Sequence, residues 1–95
     1  MNEKIIIDGD EFIGTKISTE RSNILVISCP EGFLGCGFLD IAVAERLGEC
    51  AAIVTGVKNF DDMLSAKVVR CSSVAAAKGV APGLSGREAL TMIAK

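Results

Sequence analysis

Four cysteines and no histidine set the chemical vocabulary of this chain. Without an imidazole, Ser-His and Cys-His nucleophile activation, histidine general-base catalysis and mixed Cys/His zinc sites are excluded within one chain. Any chemistry must use thiol, carboxylate, Lys, Arg or backbone groups. The cysteines stand at positions 29, 36, 50 and 71. No two form Cys-x-x-Cys, and their separations match neither zinc-ribbon nor ferredoxin spacing, so no metal site is expected and no cofactor is implied.

Cys36 differs from the other three. Gly35 and Gly37 flank it, and the segment Leu39 to Leu47 that follows has helical spacing. A helix N-terminus favours a thiolate, and neighbouring amides can hold a developing oxyanion, which makes Cys36 a candidate nucleophile or ligand-contacting thiol. The plainer alternative is that two glycines permit a sharp strand-to-helix turn and the thiol fills space. Asp40 falls in the first turn of that helix, where a carboxylate satisfies free amides or orients a ligand amine. Ser85-Gly86-Arg87-Glu88 offers amides, a hydroxyl and a guanidinium at another helix start, a geometry suited to phosphate or carboxylate. The same residues also read as a capping box, with Arg87 free to pair with Asp40 or Asp61. Thr55-Gly56, at the end of an apolar run, can line a pocket.

The elements that position these residues follow from the pattern. Lys4-Ile5-Ile6-Ile7 and Phe12 to Ile17 flank Asp8-Gly9-Asp10, a tight hairpin turn. Ile24 to Cys29 is a continuous apolar run, expected as a central strand covered on both faces. Pro30-Glu31-Gly32 turns it into a return strand, Phe33 to Cys36, with Cys29 facing Leu34 and Cys36 facing Ile27. Diagonal β-carbons of that kind lie ~7–8 Å apart, too far for the ~3.5–4.5 Å of a disulfide. The Leu39 to Leu47 helix stops at Gly48. Strands are expected over Ala51 to Val57 and Val68 to Cys71, and helices over Phe60 to Ser65, capped by Asn59, Ser73 to Lys78, and Ser85 through Ile93. The sum is one domain spanning residues 1–95 of the α+β (α/β) class, a mixed β-sheet with three to four short helices packed on it.

Composition limits the partners. Ten basic and twelve acidic residues are scattered along the chain, and Trp and Tyr are absent. Neither an electrostatic footprint nor a set of stacking rings for nucleic acid is present, and no stretch reaches the ~20 apolar residues of a membrane span. A cytoplasmic location is expected, in keeping with unpaired thiols. Apolar residues make up 49% of 95 positions. So small a domain has little interior in which to hide them, which predicts a homo-oligomer.

Three segments carry a family likeness. Cys36-Gly37-Phe38-Leu39-Asp40, Gly56 to Leu64, and Gly83-Leu84-Ser85-Gly86-Arg87-Glu88-Ala89-Leu90 occur in the order found in the YunC-like family, a small domain of unknown function, and the chain resembles that family from about Asn23 to its end. The resemblance implies an α+β fold and no particular activity. The expectation is an oligomeric protein, either structural or binding a small ligand, with an anion as one candidate. Cys36, Gly37, Asp40, Ser85 and Arg87 would gather at its helix N-termini. A cysteine-dependent enzyme with Cys36 as nucleophile and a protein-interaction scaffold are the alternatives.

Overall fold

Asp8 and Gly9 both take left-handed backbone conformations, with φ of 50° and 86°. Two consecutive positive φ values define the two-residue hairpin whose twist matches its strands. In the computed structural model, which describes residues 1–95, this turn joins β1 (Asn2–Ile7) to β2 (Asp10–Ser18). β3 (Asn23–Cys29) and β4 (Gly32–Gly35) form a second hairpin, with Pro30 and Glu31 alone in its turn. Chain crossover through α1 (Ile41–Leu47) leads to β5 (Ala51–Ile53), parallel to β4. After α2 (Phe60–Ser65), β6 (Arg70–Cys71) completes the sheet, and α3 (Ser73–Ala77) and α4 (Gly86–Ile93) follow. The sheet order is β1-β2-β3-β4-β5-β6, and every neighbouring pair except β4 with β5 is antiparallel. The domain is thus α+β, with six strands in a mixed sheet and four helices.

The register of the second hairpin departs from expectation by two residues. Cys29 pairs with Gly32 and Ile27 with Leu34, while the Cys36 amide reaches the Leu25 carbonyl. The reason is packing: a β-carbon at Gly32 would overlap the Cys50 carbonyl oxygen, which instead accepts the Phe33 amide. Gly32 therefore serves the strand, not the turn. Cys29 and Cys36 still share a face but sit at opposite ends of the hairpin, and all four thiols are free.

Strand and helix ends also shift. The apolar run from Ala51 stops being a strand after Ile53, because Gly56 at φ 71° turns the chain away. β6 keeps only two residues, since the Val68 amide goes to Leu84 instead of to β5. Asp40 is the N-cap of α1, one position before the first turn, with its Oδ1 accepting the Ala42 amide at 2.9 Å. Asn59, Ser72 and Ser85 cap the other helices in the same manner. Gly48 closes α1 in the left-handed conformation.

The two faces of the sheet are covered unequally. One carries Ile7, Phe12, Leu25, Ile27, Leu34 and Ala52, all buried. α2 and α4 lie on it: a β-carbon on Gly14 would strike the Phe60 ring, and one on Gly32 would strike Ile93. The other face is covered at β4 and β5, where Leu39 packs over Gly35 and Ile53 just before α1. Over β1 to β3 it has no helix, so the strand expected to be buried on both faces is buried on one. No helix is long and apolar enough to cross a membrane.

Candidate functional site

Because β4 and β5 are parallel, the chain leaves both at the same end of the sheet. Cys36-Gly37-Phe38 follows one strand and Thr55-Gly56-Val57 the other. β3 runs antiparallel to β4, so its start, with Ser22 and Asn23, arrives at that end too. Ser22, Asn23, Cys36, Gly37, Phe38, Gly56 and Val57 line a depression of about 290 Å³ there. Crevices beyond the carboxyl ends of parallel strands are where open sheets hold ligands, because the loops there are free of ladder duties.

The main-chain hydrogen bonds at this end are unevenly assigned. The Cys36 amide donates to Leu25 at 3.1 Å, the Leu39 amide to Cys36 and the Val54 amide to Gly35. The amides of Gly37, Phe38, Gly56 and Val57 donate to no acceptor in the chain. Four N–H groups without an acceptor in the chain thus belong to residues that line the two lips of the depression, which Ser22 and Asn23 line as well. Gly37 and Gly56 keep the lips thin. A β-carbon on Gly37 would press on Thr55 Cγ2 at 3.3 Å, and the φ of Gly56 strains any other residue.

Cys36 lies in this depression with 4% of its surface exposed. Its Sγ accepts the Leu25 amide at 3.3 Å, which ties the thiol to β3. No Asp, Glu, Lys or Arg lines the depression, so no side chain stands ready to take the thiol proton. The other cysteines pack elsewhere. Burial pushes the Cys29 and Cys50 thiols up, and the Cys71 thiol donates to the Val80 carbonyl.

Gly56 joins Cys36 and Gly37 in the depression, whereas Asp40, Ser85 and Arg87 do not. Asp40, occupied as the α1 cap, borders a separate groove of about 400 Å³ with Phe33, Val43 and Leu47. Ser85 and Glu88 complete a capping box, Ser85 Oγ accepting the Glu88 amide at 3.1 Å and Glu88 Oε1 accepting the Ser85 amide at 3.0 Å. The hydrogen bond from the Ser85 amide, and after it the Ser85 side chain, hold the Glu88 carboxyl below the usual carboxylate range. Arg87 pairs with Asp8, at 3.8 Å, not with Asp40 or Asp61. It lines a third hollow with Thr91 and Lys95, and no hollow is bordered by both Cys36 and Arg87.

Sequence reasoning missed Ser22, Asn23, Phe38 and Val57 as lining residues, and saw Gly56 only through its place after an apolar strand. The local signal for the first two is their polarity before a central strand. Their role depends on which strand β3 lies against, which spacing does not state.

A small α+β domain with a single parallel β-α-β crossover, and a crevice at the open end of that crossover, is the class these features define. Residues 35–93 match the family described as Domain of unknown function (DUF1805), and the chain belongs to that family. It is 32% identical over 95 residues to the uncharacterized protein YunC of Bacillus subtilis (strain 168), an alignment covering 96% of this chain and 94% of that protein. Among solved structures, the protein of unknown function TA1206 from Thermoplasma acidophilum superposes with a TM-score of 0.93 at 33% identity, over 98% of this chain and 91% of that one. The likeness carried by three motifs therefore holds, and it extends through the N-terminal hairpin, where the motifs had not reached.

Proposed function

We propose that this domain binds a small oxyanion in the crevice at the ends of β4 and β5. The observation that carries the reading is the set of four unassigned amides, at Gly37, Phe38, Gly56 and Val57, on the two lips of one depression. Oriented amides attract anions without needing a charged side chain. Arg21 and Lys58, each adjacent in sequence to a lining residue, add positive charge near the rim. With only neutral donors in contact, affinity belongs in the millimolar range, about 4 kcal/mol. Four free thiols suit a reducing compartment and support a cytoplasmic setting.

Titration of isotopically labelled protein with inorganic phosphate, and separately with acetate, tests this by amide chemical shifts. Saturable shifts at Gly37, Phe38, Gly56 and Val57 are expected, weakened by Asn23→Ala and abolished at one lip by Val57→Pro. Shifts centred on Ser85 to Arg87, or none that saturate, refute it.

A thiol-dependent reaction is the second reading, favoured by one observation: Cys36 shares the depression with those amides. Timed alkylation with iodoacetamide decides it. Labelling of Cys36 ahead of Cys29 and Cys50 supports an accessible nucleophile, and labelling only on unfolding leaves the sulfur a packing group.

A further inference from the structure

Phe38 borders two hollows, the crevice beyond β4 and β5 and the groove of about 400 Å³ beside α1. Asp40, Val43, Ala44 and Leu47 line that groove at i, i+3, i+4 and i+7, which is one side of a helix. Phe38 precedes the start of α1 and Glu49 follows its end, and both also line the groove, so it runs the length of the helix. Phe38, Val43 and Leu47 leave 58%, 43% and 71% of their surface exposed. The groove is therefore apolar and open, and it begins at the residue where the crevice ends.

The two hollows differ in charge. No Asp or Glu lines the crevice, and four of its lining residues have amides without an acceptor in the chain. The charged residues lining the groove are Asp40 and Glu49, both acidic.

Resting on the anion-binding reading of the crevice, we infer that its ligand is a medium-chain aliphatic acid, with the carboxylate head in the crevice and the tail passing Phe38 into the groove along α1. Charge fixes the direction. A carboxylate placed in the groove would meet Asp40 and Glu49 and be repelled, so the head belongs at the end without acidic side chains. Charge also selects the head group. No Lys or Arg lines the crevice, and neutral amides compensate one negative charge at less desolvation cost than the two of a phosphate ester. Length sets the tail. The seven residues of α1 span about 10 Å at ~1.5 Å each. A zigzag carbon chain with ~1.5 Å bonds advances roughly 1.3 Å per carbon, so about eight carbons match the helix.

Chemical-shift titrations of the isotopically labelled full chain with acetate, butyrate, hexanoate and octanoate test this. All four should shift the amides of Gly37 and Gly56, and only the longer acids should also shift the methyls of Val43 and Leu47. From butyrate onward, Kd should fall about two- to fourfold per added CH2, the gain expected of a half to fully buried methylene. Octanol and octylamine, which carry the same tail without the anion, should bind more weakly than octanoate. Val43→Asp should remove the chain-length dependence with far-UV circular dichroism unchanged. Crevice shifts with acetate but no gain from longer acids overturn the tail placement and leave the anion site standing. Octylamine as the tighter ligand, or octanoate shifts confined to the groove, overturns the head placement. If no acid shifts Gly37 or Gly56, the anion site and the aliphatic acid fall together.

Discussion

Phe12 and Ile13 are neighbours on β2, yet Phe12 is sealed in the core and Ile13 stands half in solvent. The contrast runs through the molecule. Over β4 and β5, helices or the segments leading into them cover both faces, and Ala51, Ala52 and Ile53 are all buried. Over β1 to β3, cover comes from one side only. Aliphatic content is similar in the two regions, so composition does not decide burial. The connections do. A parallel crossover obliges the chain to climb over the sheet and lay a helix on it, whereas hairpin turns of two or four residues return the chain within the plane and cover nothing.

The sharpest way to break this comparison is to truncate the two neighbours separately. Phe12→Ala should cost about 3–5 kcal/mol in urea unfolding at low protein concentration, through lost burial and a cavity. Ile13→Ala should stay within about 1 kcal/mol under the same conditions. Equal losses would mean that the open face is covered even in the isolated chain. Gly86 probes the covered side further. A β-carbon there would overlap the Met63 carbonyl where α4 crosses α2, so Gly86→Ala should destabilise by roughly 1–3 kcal/mol despite improving helix propensity. A neutral outcome would show that α4 can slide.

Smaller effects come from the caps. Ser85→Ala removes the hydroxyl that receives the Glu88 amide, for a loss of about 1 kcal/mol in unfolding free energy. The Glu45 carboxylate on α1 receives the amide and hydroxyl of Ser73 at the start of α3, and these bonds hold its carboxyl below the ordinary range. A carboxyl depressed in the folded state contributes stability above its unfolded pKa and loses it as pH falls through the folded value. Midpoint measurements through that acid window should show a small fall that Glu45→Gln removes. If the pH profile of Glu45→Gln matches that of the unaltered chain, the tie between α1 and α3 contributes nothing.

Much of the local architecture was legible in the residues. Asp8-Gly9 announces its turn, and Ser85 with Glu88 announces its helix start, because both depend on groups three or fewer positions apart. Gly48 behaves likewise. Register was not legible. Whether Gly32 belongs to the turn or the strand is decided by the Cys50 backbone, eighteen positions away. The crevice was read only in part for the same reason. Cys36, Gly37 and Gly56 carry visible signals, but Ser22 and Asn23 reach the site through β3, and no periodicity records that approach. Nor could spacing show that Arg87 and Cys36 border different hollows, since both sit at plausible ligand-binding segments.

The sequential strand order has a consequence for motion. Each strand bonds only to its chain neighbours, so β1 can peel from β2 without disturbing any other ladder. Such an opening exposes little buried surface beyond Ile7 and belongs to the low end of the local unfolding range. β3 and β4 are held on both sides, and releasing them requires breaking ladders to either side. Amide protons should therefore exchange in graded order from the N-terminal edge inward, a gradient along the chain that is also a gradient across the sheet.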